Sequence, residues 1–338
     1  MERKIMSLGR SSLVVSLPKH WVELNELKKG DAVSLAVQRD RSLVIFPSVQ
    51  KAKKDREIVL HINSDEKEAL IVRKIIGCYL NGYTAIKVIS KKIFSVTQRK
   101  EIRKIVRMLY MRIMESDSKS VYFQTLIDET KASLELAINR MHLISHSMCQ
   151  DALNSLKNHD VMLAKAVYSL DDDVDHFCFF LLRLLRDSAQ NSVLANQLAI
   201  DSLDSMDYQT LVYRVEHAAD HSANIARQLI ILDGGRHRIP ETLQRLLFSA
   251  GTEAVKLYSR ALTAFFSRDI GESAAIIDQE KTIERLDQEI ASKTFMSKHK
   301  NAMMICGICS IRGSIKGIAE CAIDIAEIAM NRAYKLPA

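Results

Sequence analysis

The chain has 338 residues, and the 47% that are hydrophobic supply enough apolar material for two or three domains with their own cores. Only 11 residues are glycine and 4 are proline, which favours a mostly helical protein. Six scattered cysteines in a chain of this length argue against a disulfide-rich secreted scaffold. The longest apolar runs, FCFFLL and AMMICGICSI, are shorter than the roughly 20 residues of a membrane-spanning helix. We therefore expect a cytoplasmic protein with no transmembrane segment.

Charge is distributed unevenly along the chain. Residues 1–124 contain 25 Lys and Arg against 13 Asp and Glu, a net charge of +12. The remainder contains 23 against 28, a net charge of −5. This asymmetry suggests a module that faces nucleic acid, joined to a mildly acidic body with a different task.

Residues 1–48 have the pattern of short strands. SSLVVSL is rich in β-branched and apolar residues and ends at Pro18, and KHWVELN follows as a short helical segment. In LKKGD, Gly30 predicts a turn that uses positive φ. AVSLAVQ and SLVIFP then alternate around the polar turn RDRS, which predicts a hairpin. So few short strands bury little surface alone, so we expect a dimer or docking on a larger body.

The order of these elements resembles the AbrB/SpoVT family of swapped-hairpin proteins. The matching features are the LKKGD turn, the closing hairpin, and the segments Arg3-Lys4, Leu8-Gly9-Arg10 and Leu17-Pro18-Lys19. The resemblance implies a homodimer through residues 1–50, with a swapped-hairpin β-barrel that presents basic loops to DNA. The residues it assigns to the DNA interface are Arg3, Lys4, Arg10 and Lys19. The helix after the proline carries fewer arginines than is usual in the family, so a plain dimerisation module with a solvated basic face is the alternative.

Residues 57–124 predict a small α/β domain. EIVLHI and AIKVIS are predicted strands, with the amphipathic helix DEKEALIVRKIIGCYLNG between them. SVTQRKEIRKIVRMLYMRIME is predicted as a second helix, and KSVYFQTL as a closing strand. The second helix has a broad basic face, for which we favour a solvated surface. The alternative is sequence-independent contact with a phosphate backbone.

From residue 127 onward the chain is predicted to be helical throughout. The predicted helices are 127–157, 160–188, 192–231, 240–267, 270–297 and 301–333. Asp233-Gly234-Gly235 and Pro240 break the middle, which leaves two sets of three helices. The two sets align as an internal repeat. In that alignment the matched positions are Asp171 with Glu280, Asp175 with Glu284, Glu216 with Lys316, and Asp220 with Glu320.

Acidic pairs spaced four residues apart stand out in the first repeat. Asp171 and Asp175 lie in its second helix, and Glu216 and Asp220 in its third. Like charges at this spacing cost an isolated helix roughly 0.2–0.5 kcal/mol for each pair. If the two helices are neighbours, four carboxylates converge between them, and their repulsion has to be offset by cations.

The cation expected at such a cluster is a metal ion. Hard divalent ions such as Mg²⁺ accept carboxylate oxygens, and iron, manganese or zinc are favoured if His217 or His221 contributes. The sequence thus predicts a divalent or trivalent metal cofactor of one of these four elements. The alternative is that the acidic pairs only decorate solvated helix faces.

Residues 127–338 resemble the PhoU family. The segments that carry the resemblance are DDDVD, VEHAADHSANIA and RMHLISHSMCQDAL, together with the internal two-fold repeat. The resemblance implies a six-helix bundle of two repeats that binds metal through acidic motifs and regulates phosphate uptake. It assigns the metal to Asp171, Asp175, Glu216 and Asp220 in the first repeat, and to Glu280, Glu284 and Glu320 in the second. Because Lys316 stands where an acidic residue is expected, we expect one good site and one degraded site.

The sequence therefore predicts a multi-domain protein. Its domains are an AbrB-like domain at 1–50, an α/β domain at 57–124, and PhoU-like three-helix repeats at 127–235 and 238–338. An AbrB-like front joined to a PhoU-like body is the arrangement of archaeal PhoU-type regulators. It implies a phosphate-responsive transcriptional regulator whose partners are DNA, a second copy of the chain, and a phosphate transporter or its ATPase subunit.

Two alternatives belong to other classes of protein. One is an adaptor that regulates a phosphate transporter by protein–protein contact and does not bind DNA. The other is a di-iron oxidase, which uses Glu-x-x-His motifs on two helices of a bundle. This chain has Asp173-x-x-His176 but no Glu-x-x-His elsewhere in the bundle, and it lacks a glycine-rich phosphate loop and a nucleophile triad. We therefore expect no enzymatic activity.

Overall fold

The computed structural model describes residues 2–9, 11–37, 41–47, 56–63, 65–126, 133–296 and 301–336. The chain forms two compact units, residues 1–56 and residues 57–337. They are called the N-terminal unit and the C-terminal unit below. Domain boundaries within the C-terminal unit stay predictions.

The N-terminal unit is built from two antiparallel strand pairs and one short helix. Strands β1 (Met6–Leu8) and β2 (Ser12–Val14) form the first pair, and helix α1 (Lys19–Leu24) follows. Strands β3 (Ser34–Val37) and β4 (Leu43–Phe46) form the second pair. The strand-rich front and its closing hairpin are confirmed. Strand β1 was not predicted as a separate strand, because its three residues are too few to show a periodic pattern.

The turn before β3 and the exposure of the strands define the character of this unit. Gly30 has a φ of 101°, which confirms the left-handed turn predicted at LKKGD. Asp31 stabilises this turn by accepting a hydrogen bond of 2.7 Å from the backbone N–H of Lys28. None of the residues described in this unit is fully buried. The unit as a single chain therefore has no closed hydrophobic core among these residues.

A four-stranded mixed sheet begins the C-terminal unit. Its strands are β5 (Glu57–Ile62), β6 (Ala85–Ser90), β7 (Met111–Ser116) and β8 (Ser120–Thr125), in the spatial order β5-β6-β8-β7. The pair β5–β6 is parallel, and the pairs β6–β8 and β8–β7 are antiparallel. The predicted strands at 57–62 and 85–90 are confirmed residue for residue.

Two helices pack on this sheet. Helix α2 (Glu68–Leu80) crosses between β5 and β6, and helix α3 (Val96–Met108) begins with a capping box formed by Ser95. The predicted extension of α3 through residue 115 is wrong, because the chain turns at Tyr110, which has a φ of 52°, and continues as β7. Both helices and the sheet share one apolar core.

Seven consecutive helices form most of the bundle. They are α4 (Leu134–Asn158), α5 (Val161–Ser188), α6 (Ser192–Gln197), α7 (Ser202–Gly234), α8 (Glu241–Ser267), α9 (Ile270–Ile277) and α10 (Glu280–Met296). Helix α11 (Ala302–Ala333) completes it. Residues 127–132 of the first predicted helix lie outside the described residues. The prediction that the body of the chain is helical is confirmed for its described residues.

Two predicted helices are each divided in two. The predicted helix 192–231 is interrupted between α6 and α7, where Ala199 has a φ of 57° and Asp201 caps α7. The predicted helix 270–297 is interrupted at Asp278 and Gln279, between α9 and α10. Neither interruption contains glycine or proline, so no breaker residue marks it in the sequence.

The third helices of the two predicted repeats, α7 and α11, pack against each other inside one continuous apolar core. Gly317 on α11 lies directly against the ring of His221 on α7, so a side chain at position 317 would collide with it. Small residues on both helices, including Ala218 and Ala319, are fully buried. This close approach makes α7 and α11 the centre of the bundle.

Helix α5 joins the bundle to the α/β domain. Arg183 on α5 is only 1% exposed, and its Nη1 donates hydrogen bonds to the backbone carbonyls of Tyr79 (2.6 Å) and Tyr83 (2.7 Å). Its guanidinium also lies 4.6 Å from the ring centre of Tyr79. Arg186, about one turn further on, donates from Nε to the carbonyl of Leu80 at 3.1 Å. These contacts supply donors to carbonyls at and just beyond the C-terminal end of α2, where a helix has fewer backbone partners for them.

Candidate functional site

Helices α5 and α7 pack against each other and bring their acidic pairs together. Asp171 and Asp175 on α5 and Glu216 on α7 are each partly buried, and Asp220 lies at the solvent edge. These four residues are called the carboxylate cluster below. The convergence expected from the sequence is thus present as a group of mutually interacting charges.

The pair on α5 holds its protons more strongly than ordinary aspartates. Burial raises the pKa of Asp171 to about 6, and the charges of Asp220 and Asp172 add to the effect. Burial raises the pKa of Asp175 to about 7, again with the charges of its acidic neighbours adding to it. Burial is the larger cause of both shifts, and repulsion between the carboxylates is the smaller one.

The pair on α7 is shifted in the same direction. Burial, followed by repulsion from the other three carboxylates, raises the pKa of Glu216 to about 8. Burial also raises the pKa of Asp220, although the charges of His217 and His221 oppose the change. The neighbouring thiol of Cys178, buried behind the cluster, has its pKa raised by burial and by these same carboxylates.

The basic side chains near the cluster on α7 and α3 are engaged elsewhere or lie at its edge. Arg214 on α7 points to the other repeat, where its Nε lies 2.8 Å from Oδ2 of Asp324. The ring of His221 lies against α11, and His217 Nε2 lies 3.5 Å from Oε2 of Glu216. Lys104 on α3 makes an ion pair of 3.3 Å with Asp172, beside the cluster.

The chemistry of the donors fits a hard metal ion, but their present spacing does not form a finished site. Four carboxylates in a partly buried interface supply the oxygen ligands that Mg²⁺ or Mn²⁺ prefers. Among the residues described, however, no group of three or more His, Cys, Asp or Glu side chains lies close enough together to hold a metal ion. The metal cofactor stays a prediction.

The matching region of the second repeat has a different balance of charge. Glu280, Glu284 and Glu320 are exposed, and Lys316 lies 3.4 Å from Glu320 on the same helix. Between helices α10 and α11 the structure has an ion pair instead of a carboxylate cluster. Its members are Asp287 and Arg312, whose Oδ1 and Nε lie 3.2 Å apart. The predicted metal role of the three glutamates stays a prediction.

Sequence reasoning missed the residues that connect the cluster to the α/β domain. Lys104 pairs with Asp172. The ring of Tyr110 packs in a tilted arrangement against His176, one turn further along α5, with the ring centres 5.4 Å apart. The signal that could have found this junction is Arg183, an arginine inside the apolar run FCFFLLRLL. A cation in such a run is rarely buried without partners, so it indicates a second domain that supplies them.

The basic residues of the N-terminal unit are exposed as a nucleic-acid interface requires. Lys4 is exposed, and Arg3 Nη1 donates to Oγ of Ser16 at 3.5 Å. Lys19 is 90% exposed at its side chain and lies 3.5 Å from Glu23 on the next turn of α1. Arg10 lies outside the described residues.

Large apolar side chains are exposed throughout the N-terminal unit. The most exposed are Leu13 (73%), Leu24 (72%), Ile5 (70%), Val37 (68%), Leu8 (65%) and Leu35 (61%). A monomeric domain rarely leaves so many apolar side chains in water within so short a segment. The unit therefore presents a surface suited to association.

One helix within the described ranges, α11, is long and apolar enough to cross a membrane. Half of its most apolar segment is buried inside the bundle, where α7, α8, α9 and α10 pack against it. A central helix of a bundle meets the same criteria of length and composition.

Comparisons with known proteins support both resemblances at the level of domains. Residues 138–229 match the family model of the PhoU domain, and this segment contains all four residues of the carboxylate cluster. Residues 7–55 match the model of "Antidote-toxin recognition MazE, bacterial antitoxin". No curated protein matches the sequence at a significant level.

Solved structures of PhoU proteins share the fold. The chain resembles PhoU from Pseudomonas aeruginosa with a TM-score of 0.51 and 21% identity, over 58% of this chain and 93% of that one. It resembles the phosphate transport system regulatory protein PhoU from Streptococcus pneumoniae with a TM-score of 0.51 and 16% identity, over 61% and 95%. The chain therefore joins a MazE/AbrB-like N-terminal segment to a helical bundle that has the PhoU fold and contains a PhoU domain.

Proposed function

We propose that the protein is a phosphate-responsive regulator of phosphate uptake that acts on transcription. Its N-terminal unit would bind DNA, and its helical bundle would sense phosphate status. The observation that carries the proposal is the union in one chain of an antitoxin-type segment at residues 7–55 with a PhoU domain at residues 138–229. The similar protein from Streptococcus pneumoniae is a phosphate transport system regulatory protein by name, which supports the first half of the proposal.

A dimer is part of this proposal. The exposed apolar side chains of β1, β2 and β3 would be covered by the same strands of a second copy. Light scattering on the purified chain should give the mass of a dimer, and Leu13→Glu with Leu35→Glu should give a monomer. If the double variant stays dimeric, the second copy is held by another surface.

DNA binding is tested by its dependence on salt. Fluorescence anisotropy with the promoter of the chain's own gene should give a log–log salt slope of about −0.9 per phosphate neutralised. Arg3→Ala with Lys4→Ala should weaken binding and make the slope shallower by about 1 for each phosphate that is no longer neutralised. The matched control is Lys100→Ala with Arg107→Ala on α3, which removes the same charge from the α/β domain.

Comparison of the two variants separates DNA binding by the N-terminal unit from the alternatives. If only the α3 variant weakens binding, the α/β domain and not the N-terminal unit faces the DNA. If the wild type does not bind, the protein is an adaptor that acts by protein contact. If it binds and neither variant changes the affinity, residues other than these four contact the DNA. The modest basicity of α1, where Lys19 lies beside Glu23, is the observation that favours the adaptor.

Metal sensing is the third element of the proposal. Asp171, Asp175, Glu216 and Asp220 would hold the ion, which would supply positive charge between α5 and α7. Their raised pKa values support this element, because they mark negative charge that is poorly compensated. Elemental analysis of the native protein should find stoichiometric metal that is lost in Asp171→Ala with Glu216→Ala. Equal metal content in both proteins would refute this assignment.

A further inference from the structure

A cavity between the two predicted repeats is not used by any part of the proposed function. It has a volume of about 740 Å³ and lies among α4, α8 and the first turn of α10. That volume is within the range of about 300–1,000 Å³ found for small-molecule sites. The carboxylate cluster lies elsewhere, on α5 and α7.

The floor of the cavity is apolar and buried. It is formed by Leu153 on α4, Val255 and Leu257 on α8, and Ile283 on α10, with the ring of Phe248 at one side. Such a floor is suited to a planar or aliphatic group of a ligand, which gains free energy when it leaves water.

Two close contacts fix the distance between α4 and α8, so the cavity is part of the packing. Gly251 on α8 lies directly against the side chain of Leu153, and any larger residue there would collide with it. Two turns earlier, Gln244 donates from Nε2 to the carbonyl of Leu156 at 2.6 Å.

The break between α9 and α10 lies at the third wall of the cavity. Gln279 lies at the interruption, and it lines the cavity together with Thr282 on the first turn of α10. In the alignment of the two repeats, Gln279 matches Leu170, where α5 continues without a break. The break therefore belongs to the second repeat, the one whose metal motif is incomplete.

The rim of the cavity is rich in hydrogen-bond donors. Arg260 uses Nε and Nη2 on Glu272, at 2.5 and 3.1 Å, which leaves three of its five N–H groups without a partner among the described residues. Lys256 has one bond to a described residue, of 2.8 Å to Glu253, and two N–H groups to spare. The side chains of Gln150 and Asn154 line the same rim and make no hydrogen bond with any described residue.

We propose that this cavity binds a small organic anion, a phosphate ester or carboxylate attached to a planar apolar body. The apolar body lies on the floor beside Phe248. The anionic group accepts hydrogen bonds from the N–H groups of Lys256 and Arg260 that are not used on Glu253 and Glu272. This assignment does not depend on the proposed role in phosphate uptake or on DNA binding.

A matched pair of probes separates anion recognition from apolar contact. The anion 8-anilinonaphthalene-1-sulfonate and the neutral N-phenyl-1-naphthylamine share one ring system and differ by the sulfonate. In fluorescence titrations of the full chain, Lys256→Ala with Arg260→Ala should weaken one class of sulfonate sites at least tenfold. The neutral probe should change less than twofold. Arg245→Ala, which removes an exposed cation from the same helix, should change neither.

A second variant tests the location. Thr252→Trp places a large side chain into the cavity and should remove one site for both probes, with the circular dichroism spectrum unchanged. If the charge-removing variant binds the sulfonate like the wild type, or loses both probes equally, anion recognition at this rim is refuted. That variant changes only side chains at the solvent-facing rim, so it decides the matter even where the tryptophan variant does not fold.

Displacement of the sulfonate probe then identifies the kind of anion. Adenosine monophosphate and benzoate represent phosphate esters and carboxylates, and adenosine is the neutral control. At least one of the two anions should displace the probe in the wild type but not from the sites that remain in the charge-removing variant. If adenosine displaces it as well as the monophosphate does, the site recognises the apolar body alone and the proposal fails.

Discussion

The two repeats of the bundle differ in how charge is balanced at their helix interfaces. In the first repeat, carboxylates on α5 and α7 face one another with no cation of the described residues between them. Burial and mutual repulsion raise the pKa values of Asp171, Asp175 and Glu216 to about 6, 7 and 8. In the second repeat, the helix interface contains the ion pair of Asp287 and Arg312, and the glutamates of the motif are exposed. A helix interface thus tolerates either a balanced pair or an excess of acid that a proton or a metal ion must neutralise.

The difference suggests a division of labour. The two charges of an ion pair neutralise each other and need no further ion, so the second interface is suited to hold the bundle together. An unbalanced cluster changes its stability whenever its charge is titrated, so the first interface is suited to respond to a solute.

The largest expected effect is that of a divalent cation on the first repeat. At 100 times its dissociation constant, a metal ion that binds only the folded chain stabilises it by about 2.7 kcal/mol, which corresponds to a rise in Tm of about 5 °C. Thermal unfolding with Mn²⁺ or Mg²⁺ should show this rise in the wild type. The variant Asp171→Asn with Glu216→Gln should lose it, and Glu280→Gln with Glu284→Gln should keep it. Equal shifts in both variants would mean that the ion binds elsewhere.

Neutralising one carboxylate should reproduce part of that effect without metal. Because the folded-state pKa of Glu216 is raised to about 8, its protonated form contributes stability that is present below pH 4.5 and is lost as the pH rises toward 8. Glu216→Gln keeps the neutral form at every pH, so it should stabilise the chain at pH 8 by about 1–2 kcal/mol and far less at pH 5. Urea unfolding at the two pH values measures both numbers.

The control for this prediction is Glu280→Gln, the position that the repeat alignment matches with Asp171. Glu280 is exposed, so its variant should show the same small change at both pH values. A destabilising effect of Glu216→Gln at pH 8 would show that the cluster is already neutralised in the folded chain.

The sequence predicted the convergence of acidic pairs in the first repeat better than the helix breaks of the second. Spacing of four residues places Asp171 and Asp175 on one side of a helix. Packing of the neighbouring helices α5 and α7 then brings this pair close to the acidic pair on α7. The helix break at Gln279, between α9 and α10, depends on packing against α8 and α11. No residue type in the local sequence indicates it. The same limit explains β7, because MRIMES continues the helical pattern of α3 and becomes a strand only through pairing with β8.

Breaking the ion pair of the second repeat should destabilise the chain, whereas neutralising Glu216 in the first repeat should stabilise it. Arg312→Met leaves Asp287, which is 21% exposed at its side chain, without its cation and should cost about 1 kcal/mol at pH 7. Adding Asp287→Leu should recover most of the loss, since the double variant removes both charges together. Urea unfolding of the two variants checks the sign, and a stabilising Arg312→Met would show that the two interfaces do not differ as argued.

The smallest expected effect concerns the link between the cluster and the α/β domain. The positive charge of Lys104 on α3 lowers the pKa of Asp175 and pairs with Asp172 across the domain junction. Its removal in Lys104→Gln should therefore raise the pKa of Asp175 further, and the cost should be about 0.5 kcal/mol at pH 8. At pH 5 the cost should be smaller, because Asp175 is then protonated and gains less from a nearby cation.

Lys100→Gln is the matched control, since it removes an exposed lysine one turn earlier on α3. Its effect should be the same at both pH values. A cost of Lys104→Gln that depends on pH would show that the α/β domain is sensitive to the charge of the cluster through a single ion pair. The rigid junction at Arg183 would then carry any change in α5 to the end of α2. A cost independent of pH would mean that Lys104 acts only on Asp172 and that the α/β domain does not respond to the cluster.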